Sequence, residues 1–227
     1  MKMESRLIAV PVFSDENNGE IRGDLHIPEN STALVVFAHG SGSSRHSPRN
    51  KYVAEVLNDG AIATLLIDLL TAGEEIIDRQ TMHLRFNIDL LAERLSVVTN
   101  WVKQQSATET LHLGYFGAST GAAAALVAAA KQTGLAEAIV SRGGRPDLAG
   151  TWLARVQAPT LLVVGGNDPV VIDLNRKAAS QIHTTCRIEI IPGAGHLFEE
   201  AGTLERAAIL AREWFEEYLV LAHRHVA

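Results

Sequence analysis

The chain is poor in the residues that build covalent or metal frameworks. It has one cysteine, Cys186, so no intramolecular disulfide can form, and no C-x-x-C or H-E-x-x-H pattern frames a zinc site. No metal and no cofactor are therefore expected, and Cys186, in an apolar strand-like segment, reads as core filler. Long apolar runs are missing too. No segment approaches the ~18 uninterrupted apolar residues of a membrane span, and the opening MKMESRLIAVPV lacks the shape of a secretory signal. The expectation is a soluble, cytoplasmic protein with no membrane partner. Positive charge is scarce: 20 Lys and Arg stand against 26 Asp and Glu, for a net charge of -6. With no basic stripe, nucleic acid is excluded as an expected partner. Linkers, repeats and low-complexity tracts are also absent, so residues 1–227 read as a single domain, whose 47% hydrophobic content is enough for a sizeable core. Oligomeric state is left open.

What the chain does have is a regular alternation. Two early segments, Arg6 to Phe13 and Glu20 to Ile27, flank the turn-rich SDENNG and read as an antiparallel hairpin. Beyond Pro28, apolar runs of strand length recur at Ala33 to Ala38, Ala61 to Ile67, Leu111 to Phe116, Ala136 to Val140, Thr160 to Val164 and Arg187 to Ile191. Between them lie helical patterns. Ile88, Leu91, Leu95, Val98 and Val102 repeat at three- and four-residue spacing, Ala122 to Ala130 is strong helix former, and a last helix is expected from Leu204 to about Leu221. The aromatics of that last helix, Trp214, Phe215 and Tyr218, read as core. Continuous apolar strands alternating with helices give an α/β fold: a mostly parallel eight-stranded sheet with helices on both faces and an antiparallel N-terminal hairpin. The tail HRHVA reads as a solvated terminus rather than a chelator.

In an open parallel sheet, ligands bind beyond the carboxyl ends of the strands. The segments that follow the apolar runs are HGSGSSRHS, Asp68, GASTG, SRGGRPD, GGNDPVV and PGAGHLFEE. The third places Ser119 between Gly117 and Gly121, where an apolar run gives way to alanines, which is the G-x-S-x-G pattern of a sharp strand-to-helix turn. A serine hydroxyl is a weak nucleophile near neutral pH. It needs an imidazole to take its proton, a carboxylate to orient that imidazole, and N–H groups to bind the developing oxyanion.

These loops supply each of those groups. Of nine histidines, His196 lies in a glycine-rich loop after the last strand, whereas His112 and His183 fall in or beside secondary structure, His26 precedes the core sheet, and His39 ends a strand where it shapes the loop. Asp168 directly follows a strand and is preferred to Asp173, which falls in a helix. Ser119, Asp168 and His196 occur in the order serine, acid, histidine. The N–H of Thr120 and one from the HGSG loop, at Ser41, are the candidate oxyanion donors. Arg142 and Arg145 also lie at a strand end and read either as carboxylate-recognising groups or as loop braces, as does Arg45. Glu74, Glu75 and Asp78 read as a solvated helix start.

Taken together, these motifs resemble the α/β-hydrolase fold, and within it the dienelactone hydrolase-like group, over about residues 6 to 220. The resemblance implies Ser119 as nucleophile, His196 as general base and then acid, Asp168 as its orienting acid, and Ser41 and Thr120 as oxyanion donors. Dienelactone hydrolases proper carry cysteine at the elbow. Ser119 in its place moves the expectation towards general carboxylic esters cleaved through an acyl-enzyme. The short stretch between the sixth and seventh strands leaves no room for a large lid domain, which suits small or short-chain esters. A thioesterase or acyltransferase would use the same three residues. A rival of another class reads HGSGSS as a phosphate-binding turn with Asp68 on a ribose, although Arg45 occupies its third glycine position.

Overall fold

The computed structural model describes residues 3–12 and 19–223; most of the SDENNG turn and of the HRHVA tail lies outside them. Eight strands form one sheet: β1 (Met3–Val12), β2 (Gly19–Pro28), β3 (Ala33–Ala38), β4 (Ala63–Ile67), β5 (His112–Ala118), β6 (Ala138–Arg142), β7 (Thr160–Gly165) and β8 (Cys186–Ile191). Their spatial order is β1-β2-β4-β3-β5-β6-β7-β8. β2 runs antiparallel to both β1 and β4, and every pairing from β4 through to β8 is parallel.

The unbroken apolar runs follow from cover on both faces. In β3, Leu34, Val36 and Ala38 join one core with Leu65, Leu113 and Tyr115, while Ala33, Val35 and Phe37 join another with Leu66, Phe116 and Val140. This is the period of two expected of a strand, with neither set reaching solvent. Helices α3 (Ile88–Val102) and α4 (Thr120–Lys131) cover the first face; α1 (Pro48–Asp59) and α6 (Thr203–Phe215) cover the second. α2 (Ala72–Thr81) precedes α3, and α5 (Pro169–Ala179) lies between β7 and β8. The link from β6 to β7 carries only a short irregular helical segment, Pro146–Arg155.

Three local expectations are corrected. The strand expected from Ala61 begins at Ala63, because Ala61 takes φ 57° in a turn that Asn58 closes by donating from Nδ2 to the Ile62 carbonyl at 2.9 Å. The last helix changes at Phe215 into a wider π turn over Glu216–Leu221. Of the acids of α2, Glu75 stays partly solvated beside Arg79, but Glu74 and Asp78 do not. Glu74 is buried, accepting the Thr71 N–H and pairing with Arg94, and Asp78 is 1% exposed. Burial alone would push the Asp78 carboxyl up, but N–H bonds from Arg85 and Leu84 and the Arg85 guanidinium outweigh it and hold the carboxyl below the usual range.

The junction of β5 with α4 is tight. A Cβ on Gly121 would lie 2.5 Å from the His39 carbonyl oxygen and nearer still to that of Ala38, and one on Gly117 would lie 2.7 Å from the Ala122 nitrogen. Backbone cannot retreat as a flexible side chain can. Gly121→Ala should therefore destabilise the protein by about 3 kcal/mol or more. Gly73→Ala, in exposed α2 with nothing within 4 Å of the added methyl, should stabilise it by about 0.5–1 kcal/mol. Urea unfolding of the two variants tests this; equal shifts of one sign would contradict it.

Candidate active site

β5 lies at the middle of the sheet and delivers Ser119 at its carboxyl end. Ser119 adopts φ 50° and ψ −123°, a backbone region that residues with a side chain rarely occupy and that costs about 1–3 kcal/mol. Neighbouring chain holds it there. The Ser119 N–H donates to the Arg142 carbonyl at 3.4 Å, and the Ser119 carbonyl accepts from the Arg145 N–H at 3.0 Å. The SRGGR loop thus serves the serine through its backbone.

The loops after β7 and β8 are laced to each other. The Gly166 N–H donates to the Ile191 carbonyl at 2.8 Å and the Asn167 N–H to that of Ala194 at 2.9 Å, while Asn167 Nδ2 donates to the Gly193 carbonyl at 2.9 Å. This brings Asp168 Oδ2 to 2.8 Å from His196 Nδ1. A carboxylate can only accept, so Nδ1 carries the proton and Nε2 is left with its lone pair. The other Asp168 oxygen caps α5 at the Val171 N–H, 3.4 Å away. Downstream, Glu200 Oε2 accepts the Gly195 N–H at 2.9 Å, and buried Phe198, at φ 56°, anchors the histidine loop in the core. Asp173 is on exposed α5 and pairs with Arg176.

Ser119, Asp168, His196, Ser41 and Thr120 line one open cleft of about 530 Å³, together with Phe86, Arg145, Asn167, Val170 and Val171. Phe86 and Val170 give it exposed apolar walls, at 56% and 69% exposure. Neither they nor Asn167 were singled out from sequence, where nothing marks which loop residue overhangs which. Thr120 opens α4, so its N–H has no partner within the helix. His39 has another place: its Nε2 accepts the Leu69 N–H at 3.1 Å and its Nδ1 donates to the Gly40 carbonyl at 2.9 Å. Burial lowers its pKa, and this neutral ring ties the HGSG loop to the end of β4.

The three arginines separate. Arg45 binds Asp68, both through its side chain and through its backbone N–H at 2.9 Å, and also pairs with Asp24, so it braces the loop away from the cleft. Arg142 is buried beside the rings of Phe116 and Phe198 and donates to Asn50 at 3.3 Å; burial, and then Arg49, lower it to about 10, which leaves it charged at neutral pH. Neither of these two lines the cleft, and of the two readings open to them the contacts are those of loop braces. Arg145 does, although Asp147 already holds its guanidinium with two bonds of 2.8 and 2.9 Å.

The same geometry weakens the nucleotide reading. Asp68 is committed to Arg45, and HGSGSS does not open a helix: α1 begins only at Pro48, with Ser47 as its cap. Cys186 lies at the far end of the sheet in β8, and burial pushes its thiol up to about 11, well away from a reactive thiolate.

With the cleft assembled, the relatives can be placed. The model of the dienelactone hydrolase family matches residues 22–219. The chain belongs to the dienelactone hydrolase family. A solved dienelactone hydrolase from Anabaena variabilis is 56% identical with a TM-score of 0.89, covering 95% of this chain and 99% of its own. Est1E from Butyrivibrio proteoclasticus, 17% identical with a TM-score of 0.74 over 92% of this chain and 98% of its own, shows the α/β-hydrolase fold alone. Two Mycobacterium tuberculosis proteins, provisionally named phosphoribosyl transferases, are 54% identical over 216 residues, 95% of this chain. The chain spans only 46% of their length. Family and fold therefore agree for this chain.

Of the three arginines, then, Arg145 alone is placed to sense substrate charge. Arg145→Met should raise KM for an anionic substrate relative to a neutral one of the same shape by roughly threefold to fivefold, the scale of an exposed ion pair. Arg45→Met and Arg142→Met should leave that ratio unchanged. A steady-state comparison of paired substrates decides, and a shift in either of the latter would overturn the placement.

Proposed function

We propose that this protein is a serine hydrolase that cleaves small or short-chain carboxylic esters through an acyl-enzyme on Ser119. The observation that carries the reading is the 2.8 Å bond from His196 Nδ1 to Asp168, opening on the same cleft as Ser119 in its strained turn. His196 Nε2 takes the hydroxyl proton as Ser119 Oγ attacks the ester carbonyl. Asp168 stabilises the imidazolium that forms, and the N–H groups of Ser41 and Thr120 bind the oxyanion. Collapse of the tetrahedral intermediate expels the alcohol, which receives the proton from His196. Water then repeats the sequence to release the acid.

The openness of the cleft favours water over a second alcohol as acceptor, which places hydrolysis ahead of acyl transfer. Thioesters remain chemically competent substrates for the same residues. Phosphoribosyl transfer is not carried over from the mycobacterial relatives, because this chain spans less than half of them. The proposal includes no nucleic-acid or membrane partner.

Two experiments test the mechanism. On a panel of short-chain aryl esters, Ser119→Ala should remove nearly all turnover, a loss of about 10³-fold or more, and should abolish labelling by a fluorophosphonate. Retained turnover with intact folding would sink the nucleophile assignment. Protonated His196 cannot accept the serine proton, so kcat/KM should fall as the solution is made acid and level off on the alkaline side. A flat profile into acid would remove His196 as the base.

A further inference from the structure

At the opposite edge of the sheet from the cleft, three potential metal ligands converge. His112 begins β5 and Glu137 immediately precedes β6, so adjacent strands present them side by side. Their backbones are pinned: the His112 N–H donates to the Thr32 carbonyl at 2.9 Å and the Glu137 N–H to that of Leu113 at 2.7 Å. The third group, His223, follows the π turn that ends the last helix. Its Nε2 lies 2.9 Å from Glu137 Oε2, and His112 Nδ1 lies 3.0 Å from the same oxygen. The two imidazoles stack with centroids 3.5 Å apart and planes 12° from parallel. His223 is therefore no solvated end residue, and its side chain is only 35% exposed.

We propose that His112, Glu137 and His223 form a binding site for a first-row divalent cation of the zinc or nickel class. Two imidazoles and a carboxylate are the donor set such ions select over calcium or magnesium. The donor atoms all lie within 4.8 Å of one another, and the spacings of 2.9 and 3.0 Å are those of an octahedral edge with bonds of about 2.1 Å, the remaining corners being open to water. Each ring binds through its lone pair once its proton sits on the other nitrogen, Nε2 of His112 and Nδ1 of His223, so neutral histidines need release no proton. His112 and Glu137 are preset by the sheet, and on binding the His223 ring turns out of its stack on His112 so that its lone pair reaches the shared point. Half-exposure of all three leaves the remaining positions to water.

The site lies a full strand away from Ser119, about 20 Å along β5. Its role is to clip the end of the last helix to the sheet rather than to take part in chemistry. The test uses the full chain without a histidine tag, stripped with a chelator. Zinc titrated by calorimetry should bind one equivalent, Co²⁺ should give a visible absorption band of nitrogen ligation, and zinc should raise Tm while leaving ester turnover unchanged. His112→Gln, Glu137→Gln and His223→Gln, each checked for native circular dichroism, should each weaken zinc at least tenfold. Because Gln is close in size to His and Glu, these variants keep the packing, and His223→Ala, at the chain end, repeats the test with no strand disturbed. Absence of saturable zinc binding to the intact chain would overturn the proposal, as would undiminished affinity in the His112 and His223 variants.

Discussion

The arrangement of this molecule depends on one close approach, that of α4 to the strands beneath it at Ser119. A serine at φ 50° is unfavourable in isolation, and it persists because the surroundings leave the chain no other course. Gly121 lies against the carbonyls of Ala38 and His39, Gly117 lies against the first turn of the helix, and the loop after β6 grips the serine on both its N–H and its carbonyl. The same constraint explains the composition of α4. All residues from Thr120 to Ala130 are buried, and seven of the nine from Ala122 to Ala130 are alanine, because a helix this near the sheet and flanked by α3 has no space for larger side chains. The small residues that look featureless in the sequence are what hold Ser119 in its half-buried, strained position.

In the proposed mechanism, serine rather than cysteine at the elbow shifts the burden onto the base. A hydroxyl is not appreciably ionised near neutral pH, so its proton must leave as the bond to carbon forms, and the acceptor has to be oriented beforehand. The structure invests heavily in that orientation. Three hydrogen bonds lace the acid loop to the histidine loop, Glu200 closes the glycine-rich turn ahead of His196, and Phe198 anchors the turn behind it. Arg142 belongs to the same support. Its guanidinium sits against Phe116 and Phe198, so a residue that reads in sequence as either an anion receptor or a loop brace acts as a spacer beneath the histidine loop.

How far the sequence could be read follows from where each contact lies. The five strands from β3 to β7 were legible because burial on both faces makes them largely apolar, β8 was legible from its isoleucines although it is half-exposed at the sheet edge, and the loops at their carboxyl ends followed from the parallel order. Asp168 and His196 were recoverable because each stands in a short glycine-containing loop directly after a strand. Contacts between distant segments were not recoverable. Asp78 looks like a helix-start acid until Arg85 folds back onto it, and Arg45 looks like a substrate ligand until Asp68 and Asp24 take its charge. The His112–Glu137–His223 cluster spans more than a hundred residues with no motif spacing, so the terminal histidine read as solvated.

The two edges of the sheet are thus put to different uses for one physical reason. At the carboxyl edge the strand ends give way to loops, whose N–H groups and side chains are free to face a ligand; that freedom requires the loops to be braced from below. The bracing comes from the core on the α1 and α6 face, where Phe198, behind His196, shares one cluster with Trp214, Phe215 and Leu219 of the last helical segment. The end of that segment is where His223 meets Glu137 and His112. A cluster that ties His223 to the strand starts fixes the end of that segment from the far edge, and so supports the position of the His196 loop without touching it.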